Sequence, residues 1–175
     1  VNVNTDKYVP NPVMKSPKAI RYFELLGKLM GLSLRRTLCL PFALPSLLWK
    51  RLVGAQATRA DLEATDFLLV QQLNIIRRCD VDDGIASEEA FAAEYGDRLR
   101  WVYTAADGEE RDLLDALGET LSGGGVSAVG VGKGVGKGVG ACVTFAERRT
   151  YCDAVERARL HEFDAQIRAM KRGME

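Results

Sequence analysis

Residues 99–117 read LRWVYTAADGEERDLLDAL, and they break the helical periodicity that prevails elsewhere in the chain. Leu99, Trp101 and Tyr103 alternate with Arg100, Val102 and Thr104, the period of a strand with one buried face. Asp107-Gly108 supplies a turn, and Arg111 to Leu117 is a second strand that would complete a hairpin. Without this segment the sequence would read as wholly helical. With it the expected class is α+β, predominantly helical, with one small hairpin.

Helices are expected on both sides. Ser16 followed by Pro17 is a cap with proline at the first helical position, opening a helix through about Arg36. Gly27 and Gly31 lie four apart on one face of it, which permits close approach of a neighbouring segment. A second helix starts near Pro45 and ends at a cap at Gly54, and Thr58 with Asp61 forms a capping box. From Asp66 to Arg78, Leu69, Leu73 and Ile76 make an i, i+4, i+7 stripe, while Leu68 and Ile75 point to a different side. Ser87 caps a short helix whose Glu88 and Glu89 suit its dipole. Thr144 to Glu147 is a further capping box, expected to begin one long helix through Met170 that Gly173 ends. Residues 1–15, with Pro10 and Pro12, are expected to be an extended lead-in.

Composition limits the function. The 175 residues carry 24 basic and 24 acidic side chains and are 47% apolar, as in a globular domain. A balanced charge argues against a broad phosphate-binding surface, so no nucleic-acid partner is expected. The longest apolar run, Leu38 to Trp49, is interrupted by Pro41 and Pro45. It falls far short of the roughly 20 residues a bilayer crossing needs, so no membrane insertion is expected. The chain begins at Val1, which suggests a piece of a longer protein.

Residues 123–140, GGGVSAVGVGKGVGKGVG, hold nine of the 17 glycines. They offer too little side chain to offset the entropy of ordering them, so residues 118–140 are expected to be a low-complexity loop insertion. The phosphate-loop spacing fails, because Lys133 and Lys137 are each followed by glycine instead of Ser or Thr.

Chemistry of its own is hard to build from these residues. Cys39, Cys79, Cys142 and Cys152 form no C-x-x-C pair and read as reduced thiols of an intracellular, cytoplasmic protein, with the nucleus as a second setting. A Cys-His pair would need His161, the lone histidine, and Cys152 lies half a turn off its face. A zinc site lacks ligands, and in Asp80-Val81-Asp82-Asp83-Gly84 the calcium-loop register puts Cys79 and Val81 at ligand positions. No cofactor or metal is expected. What remains is a surface: Tyr151 and Val155, one turn apart, could line an apolar groove with the Leu69, Leu73 and Ile76 stripe beside the hairpin. The competing reading makes all five plain core residues.

Four strings, in order, carry a resemblance: FELLGKLMGLSLRRTLCLPFALPSLLWKRLVG from Phe23, DLEATD from Asp61, LRWVYT from Leu99 and VTFAERRTYCDAVERARLHEFDAQIRAMKRGM from Val143. Together they resemble the N-terminal lobe of HECT-type ubiquitin ligases, nearest to the large members with RCC-type propeller repeats. The resemblance implies an incomplete HECT N-lobe over 16–174. Residues 66–160 would be the small subdomain that docks the ubiquitin-charged conjugating enzyme. It implies that Leu69, Leu73, Ile76, Tyr151 and Val155 contact that enzyme, Val155 standing where relatives often have tyrosine. The thioester-forming cysteine would lie in a C-lobe outside this chain, so the 175 residues alone would be inactive. Ubiquitin and a substrate protein would be partners of the full-length ligase. The alternative is a non-catalytic, HECT-derived interaction module.

Overall fold

The computed structural model describes residues 6–113, 115, 116 and 140–175. The glycine tract up to Val139, and Leu117 at the end of the expected second strand, lie outside the described residues. The described elements are α1 (Pro17–Arg35), α2 (Ser46–Leu52), α3 (Arg59–Thr65), α4 (Phe67–Asp82), α5 (Glu88–Glu94), a 3₁₀ turn (Gly96–Arg98), β1 (Val102–Thr104), β2 (Glu110–Asp112), α6 (Arg148–His161) and α7 (Asp164–Met174). The fold is α+β and predominantly helical, as the sequence led us to expect. None of the described helices is long and apolar enough to cross a membrane. The chain forms two compact units, Val1–Asp66 with Glu162–Glu175, and Phe67–His161. We call them the terminal and the inserted unit.

The terminal unit is organised by α1 against α7. Ser16 caps α1, its hydroxyl accepting from the Ala19 N–H at 3.3 Å, with Pro17 in the first turn. The two helices meet backbone to backbone. A Cβ built on Gly27 would stand 2.0 Å from the Met170 carbonyl oxygen, and one on Gly173 would stand 2.0 Å from that of Glu24. Gly173 therefore lies inside α7 as a packing residue and is not the cap that ends it. Arg35 donates to the Met174 carbonyl at 2.8 Å and closes the far end of the crossing. Gln166, fully buried, donates to the carbonyls of Asn11 and Met14 and pins the lead-in to α7.

Asp61 joins α2 to α3. Its carboxylate accepts from Lys50 Nζ (2.8 Å), Ser46 Oγ (3.2 Å), Thr58 N–H (2.9 Å) and Thr58 Oγ1 (2.8 Å). The expected capping box is thus in place, extended by donors from α2. Burial alone would raise this carboxyl, but the donors from Lys50, Thr58 and Ser46 outweigh it and hold the pKa at about 2, against an ordinary 3.8.

The long helix expected from Thr144 to Met170 is two helices. The chain turns at Glu162 and Phe163 and starts again at Asp164, with Phe163 buried at the break (φ −100°, ψ 13°). Sequence periodicity ran through this break because apolar residues occur on both sides of it. The second strand is also shorter than expected. Asp112 Oδ1 accepts from the Asp115 N–H at 3.1 Å, and this cap turns the chain into a helical turn at Leu113.

Two outcomes are expected. Replacing Gly27 or Gly173 by alanine forces the helices apart and lowers stability by roughly 1–3 kcal/mol in chemical denaturation. The double variant should cost less than the two single effects combined, because the first Cβ already relieves the second clash. For Asp61 the depressed folded-state pKa means its contribution is complete above pH 3.8 and is lost as pH falls towards 2. Asp61→Asn should therefore cost about 2 kcal/mol at neutral pH and flatten the stability–pH curve in that acid window.

Candidate functional site: the core and surface of the inserted unit

The inserted unit builds its core where β1, α4 and α6 present their apolar faces. Trp101 and Tyr103 point inward from the strand segment, while Thr104 points out. β1 and β2 pair antiparallel in the register Val102↔Asp112, Tyr103↔Arg111 and Thr104↔Glu110. Gly108, at φ +86°, makes the turn that other residues would strain to adopt. The chain that returns after the glycine tract lies beside the other edge. Trp101 N–H donates to the Ala141 carbonyl, and Val143 N–H donates to that of Leu99, both at 2.9 Å. Residues 141–143 are thereby fixed against 99–101, whatever the length of the tract between 117 and 140.

Tyr151 occupies the centre of this arrangement. Its ring meets Trp101 edge to face, with centroids 5.7 Å apart, and its hydroxyl donates to the Val102 carbonyl at 3.0 Å. Burial pushes the phenol pKa up to about 12, so it remains a donor at any physiological pH. The structure brings all five sequence-selected residues into one cluster: Leu73, Tyr151 and Val155 are buried members of it, and Leu69 and Ile76 are half-buried against it. What it does not form from them is an open groove. Leu73 is 2% exposed and Val155 1%, so a partner could not touch either without displacing other side chains. The large apolar residues that α4 does present to solvent are Leu68, Ile75 and Val81, the first two on the side that the stripe argument set apart.

α4 and α6 are also joined by charge. Arg77 meets Asp153 (2.6 Å) and Glu156 (3.1 Å), and Asp80 accepts from Arg148 (2.6 Å) and Arg149 (3.2 Å). These pairs border an open depression of about 470 Å³ lined also by Arg78 and Val81. Arg78 in turn meets Asp82 at 2.9 Å, so the four arginines in and around the depression are each paired with a carboxylate. Sequence reasoning missed this network; the Arg148-Arg149 dipeptide was visible, but its partners lie about 70 residues away.

Two of the four thiols are poorly placed for nucleophilic work. Cys79 and Cys152 are buried, and burial pushes the Cys79 thiol up. Cys142 is exposed, with its Sγ donating to Asp97 Oδ1 at 3.4 Å, and Cys39 is exposed as well. Among the described residues no group of three or more His, Cys, Asp or Glu side chains could hold a metal ion.

Comparison with known proteins accounts for this fold. The model of the HECT-domain (ubiquitin-transferase) family matches residues 1–175. The E3 ubiquitin-protein ligases HERC2 of Mus musculus and of Homo sapiens are each 28% identical to the chain over 171 residues. That alignment takes in 98% of this chain and 3% of the length of either relative. With the family matched from end to end, and the mostly helical fold with its small hairpin in place, the chain belongs to the HECT-domain family.

Proposed function

We propose that this chain serves a HECT-type ubiquitin-protein ligase as the part that docks the ubiquitin-charged conjugating enzyme. The observation that carries this reading is the convergence of Leu69, Leu73, Ile76, Tyr151 and Val155 on one cluster in the inserted unit of a HECT-family chain. Since three of them are buried, they act by shaping the surface formed by α4, α6 and the hairpin from beneath. Tyr151 is central to this, because its hydrogen bond to Val102 sets the distance between α6 and β1.

The chemistry itself is thioester exchange. A ligase thiolate attacks the carbonyl carbon of the ubiquitin thioester, and the conjugating enzyme's thiolate leaves. A substrate lysine amine then attacks the new thioester, losing its proton and expelling the ligase thiolate. On this reading the accepting cysteine lies in polypeptide outside these 175 residues, as the HECT resemblance implies; Cys79 and Cys152 are buried. The work takes place in the cytoplasm, and in the nucleus as well, where thiols stay reduced. Burial of Tyr151 and Val155 favours a second reading, in which a HECT-derived fold serves as an interaction module that catalyses nothing.

Titrating the 175-residue chain with a panel of ubiquitin-conjugating enzymes separates the two. At least one enzyme should bind, and Tyr151→Ala should weaken it by roughly 1–3 kcal/mol. Tyr151→Phe keeps the ring, losing only the Val102 hydrogen bond, and should fall between the two. Unchanged affinity in a Tyr151→Ala variant whose circular dichroism is native would limit Tyr151 to a core role. A panel that never binds would favour the interaction module. With a charged conjugating enzyme the chain should give no thiol-sensitive ubiquitin adduct; an adduct lost on replacing one of its four cysteines would place the nucleophile here after all.

A further inference from the structure

Among the described residues a hydroxyl side chain is followed three positions on by a carboxylate at Thr58, Thr104, Thr144 and Thr150. At Thr58 and Thr144 this spacing is a capping box. The hydroxyl donates to that same carboxylate, of Asp61 or Glu147, at 2.8 Å in each case. Thr150 is held in α6. Thr104 differs from all three. It ends β1 on the face opposite the buried Tyr103, it is exposed, and its hydroxyl makes no hydrogen bond among the described residues. Asp107 follows it, then Glu109 and Glu110, both exposed, and no basic residue stands between Thr104 and Glu110. The charge around it has the same sign. The inserted unit carries 11 basic and 16 acidic side chains, a net −5, whereas the terminal unit carries 13 and 8, a net +5.

We propose that Thr104 is a phosphoacceptor for an acid-directed serine/threonine kinase, and that the phosphate loosens the β1–β2 hairpin. Such a kinase reads carboxylates downstream of the hydroxyl with cations of its own, and Asp107, Glu109 and Glu110 supply them. The ladder pairs only Val102, Tyr103 and Thr104 with their partners, and so short a hairpin opens locally at little cost, letting residues 104–110 lie extended in a cleft. In the transfer the Thr104 oxygen attacks the γ-phosphorus of ATP. The new O–P bond forms as the bond to the ADP oxygen breaks, and the hydroxyl proton passes to the kinase's carboxylate base. The structural consequence comes from the register. Thr104 stands opposite Glu110. Because the Ala105 N–H donates to the Glu109 carbonyl at 2.9 Å, the alternation of the ladder makes Thr104 and Glu110 a non-hydrogen-bonded pair, whose side chains come closest. A phosphothreonine brings about −1.5 to −2 charges at neutral pH, and like charges directly opposite destabilise a ladder. Arg111 of β2 is already engaged by Asp107. The closed hairpin holds the phosphate against Glu110 and the open one separates them, so phosphorylation shifts the balance towards opening. The proposal stands whatever the inserted unit docks.

The test incubates the 175-residue chain with ATP and the acidophilic casein kinase and maps the product by mass spectrometry. Phosphate is expected on Thr104, and labelling there is lost in Thr104→Ala. Replacing both exposed acids, Glu109→Gln with Glu110→Gln, should slow the reaction by about fivefold or more while circular dichroism stays native. The phosphorylated chain should then unfold at a lower urea concentration than the unmodified one. Glu110→Lys should reverse the sign of that shift, because lysine pairs with the phosphate across the ladder. Hydrogen exchange at the Ala105 amide reads the hairpin itself and should quicken about tenfold on phosphorylation. Phosphate on other residues with Thr104 unmodified, or a chain that takes up none, would overturn the assignment. Phosphate on Thr104 that leaves both the urea midpoint and the Ala105 exchange unchanged would overturn the loosening of the hairpin.

Discussion

The contact of α1 with α7 at Gly27 and Gly173 is the constraint on which the terminal unit rests. Each glycine admits the other helix's carbonyl into the space a Cβ would fill, so the two backbones touch. Once α7 is held there, its remaining sides can serve other elements. Asp164 meets Arg51 of α2, and Gln166 binds the carbonyls of the lead-in. A residue of ordinary size at either glycine would move α7 outward and weaken these secondary contacts together. Dense interiors transmit such a shift because they have little free volume to absorb it.

In the inserted unit the equivalent role falls to Tyr151. It is the rare side chain that combines edge-to-face packing with a buried hydrogen bond to a strand carbonyl. The charges between α4 and α6 then set the register of those helices without adding much stability, because partly exposed pairs gain little over their hydrated state. On the proposed reading, function in this unit belongs to a surface whose shape is held from within. A residue matched to a family docking position can govern binding without touching the partner, and its truncation will then affect folding and affinity together.

The distribution of charge bears on partners more than its sum does. The charges of the whole chain sum to zero, yet the two units differ, at a net +5 and a net −5. At physiological ionic strength the screening length is about 8 Å, so each unit presents its own field to what docks on it.

Much of this was legible in the linear sequence because it depends on near neighbours. The caps at Ser16 and Thr58, the turn at Gly108 and the period of two from Leu99 follow from local backbone chemistry, and each is present in the structure. The Leu69, Leu73 and Ile76 stripe identified a face of α4 that packs, and four strings in order identified the HECT family. What failed was whatever required knowing the opposite side of a contact. Gly173 read as a helix end because its partner, the Glu24 carbonyl, lies about 150 residues away; the break at Phe163 was hidden because apolar spacing continues across a turn. Periodicity likewise found Tyr151 and Val155 but could not say whether their apolar face meets solvent or Trp101. The sequence by itself determined which faces are apolar, since that is a property of side chains and helical pitch. Only the tertiary structure decided which of those faces are covered, because burial depends on elements that the chain brings together from far apart.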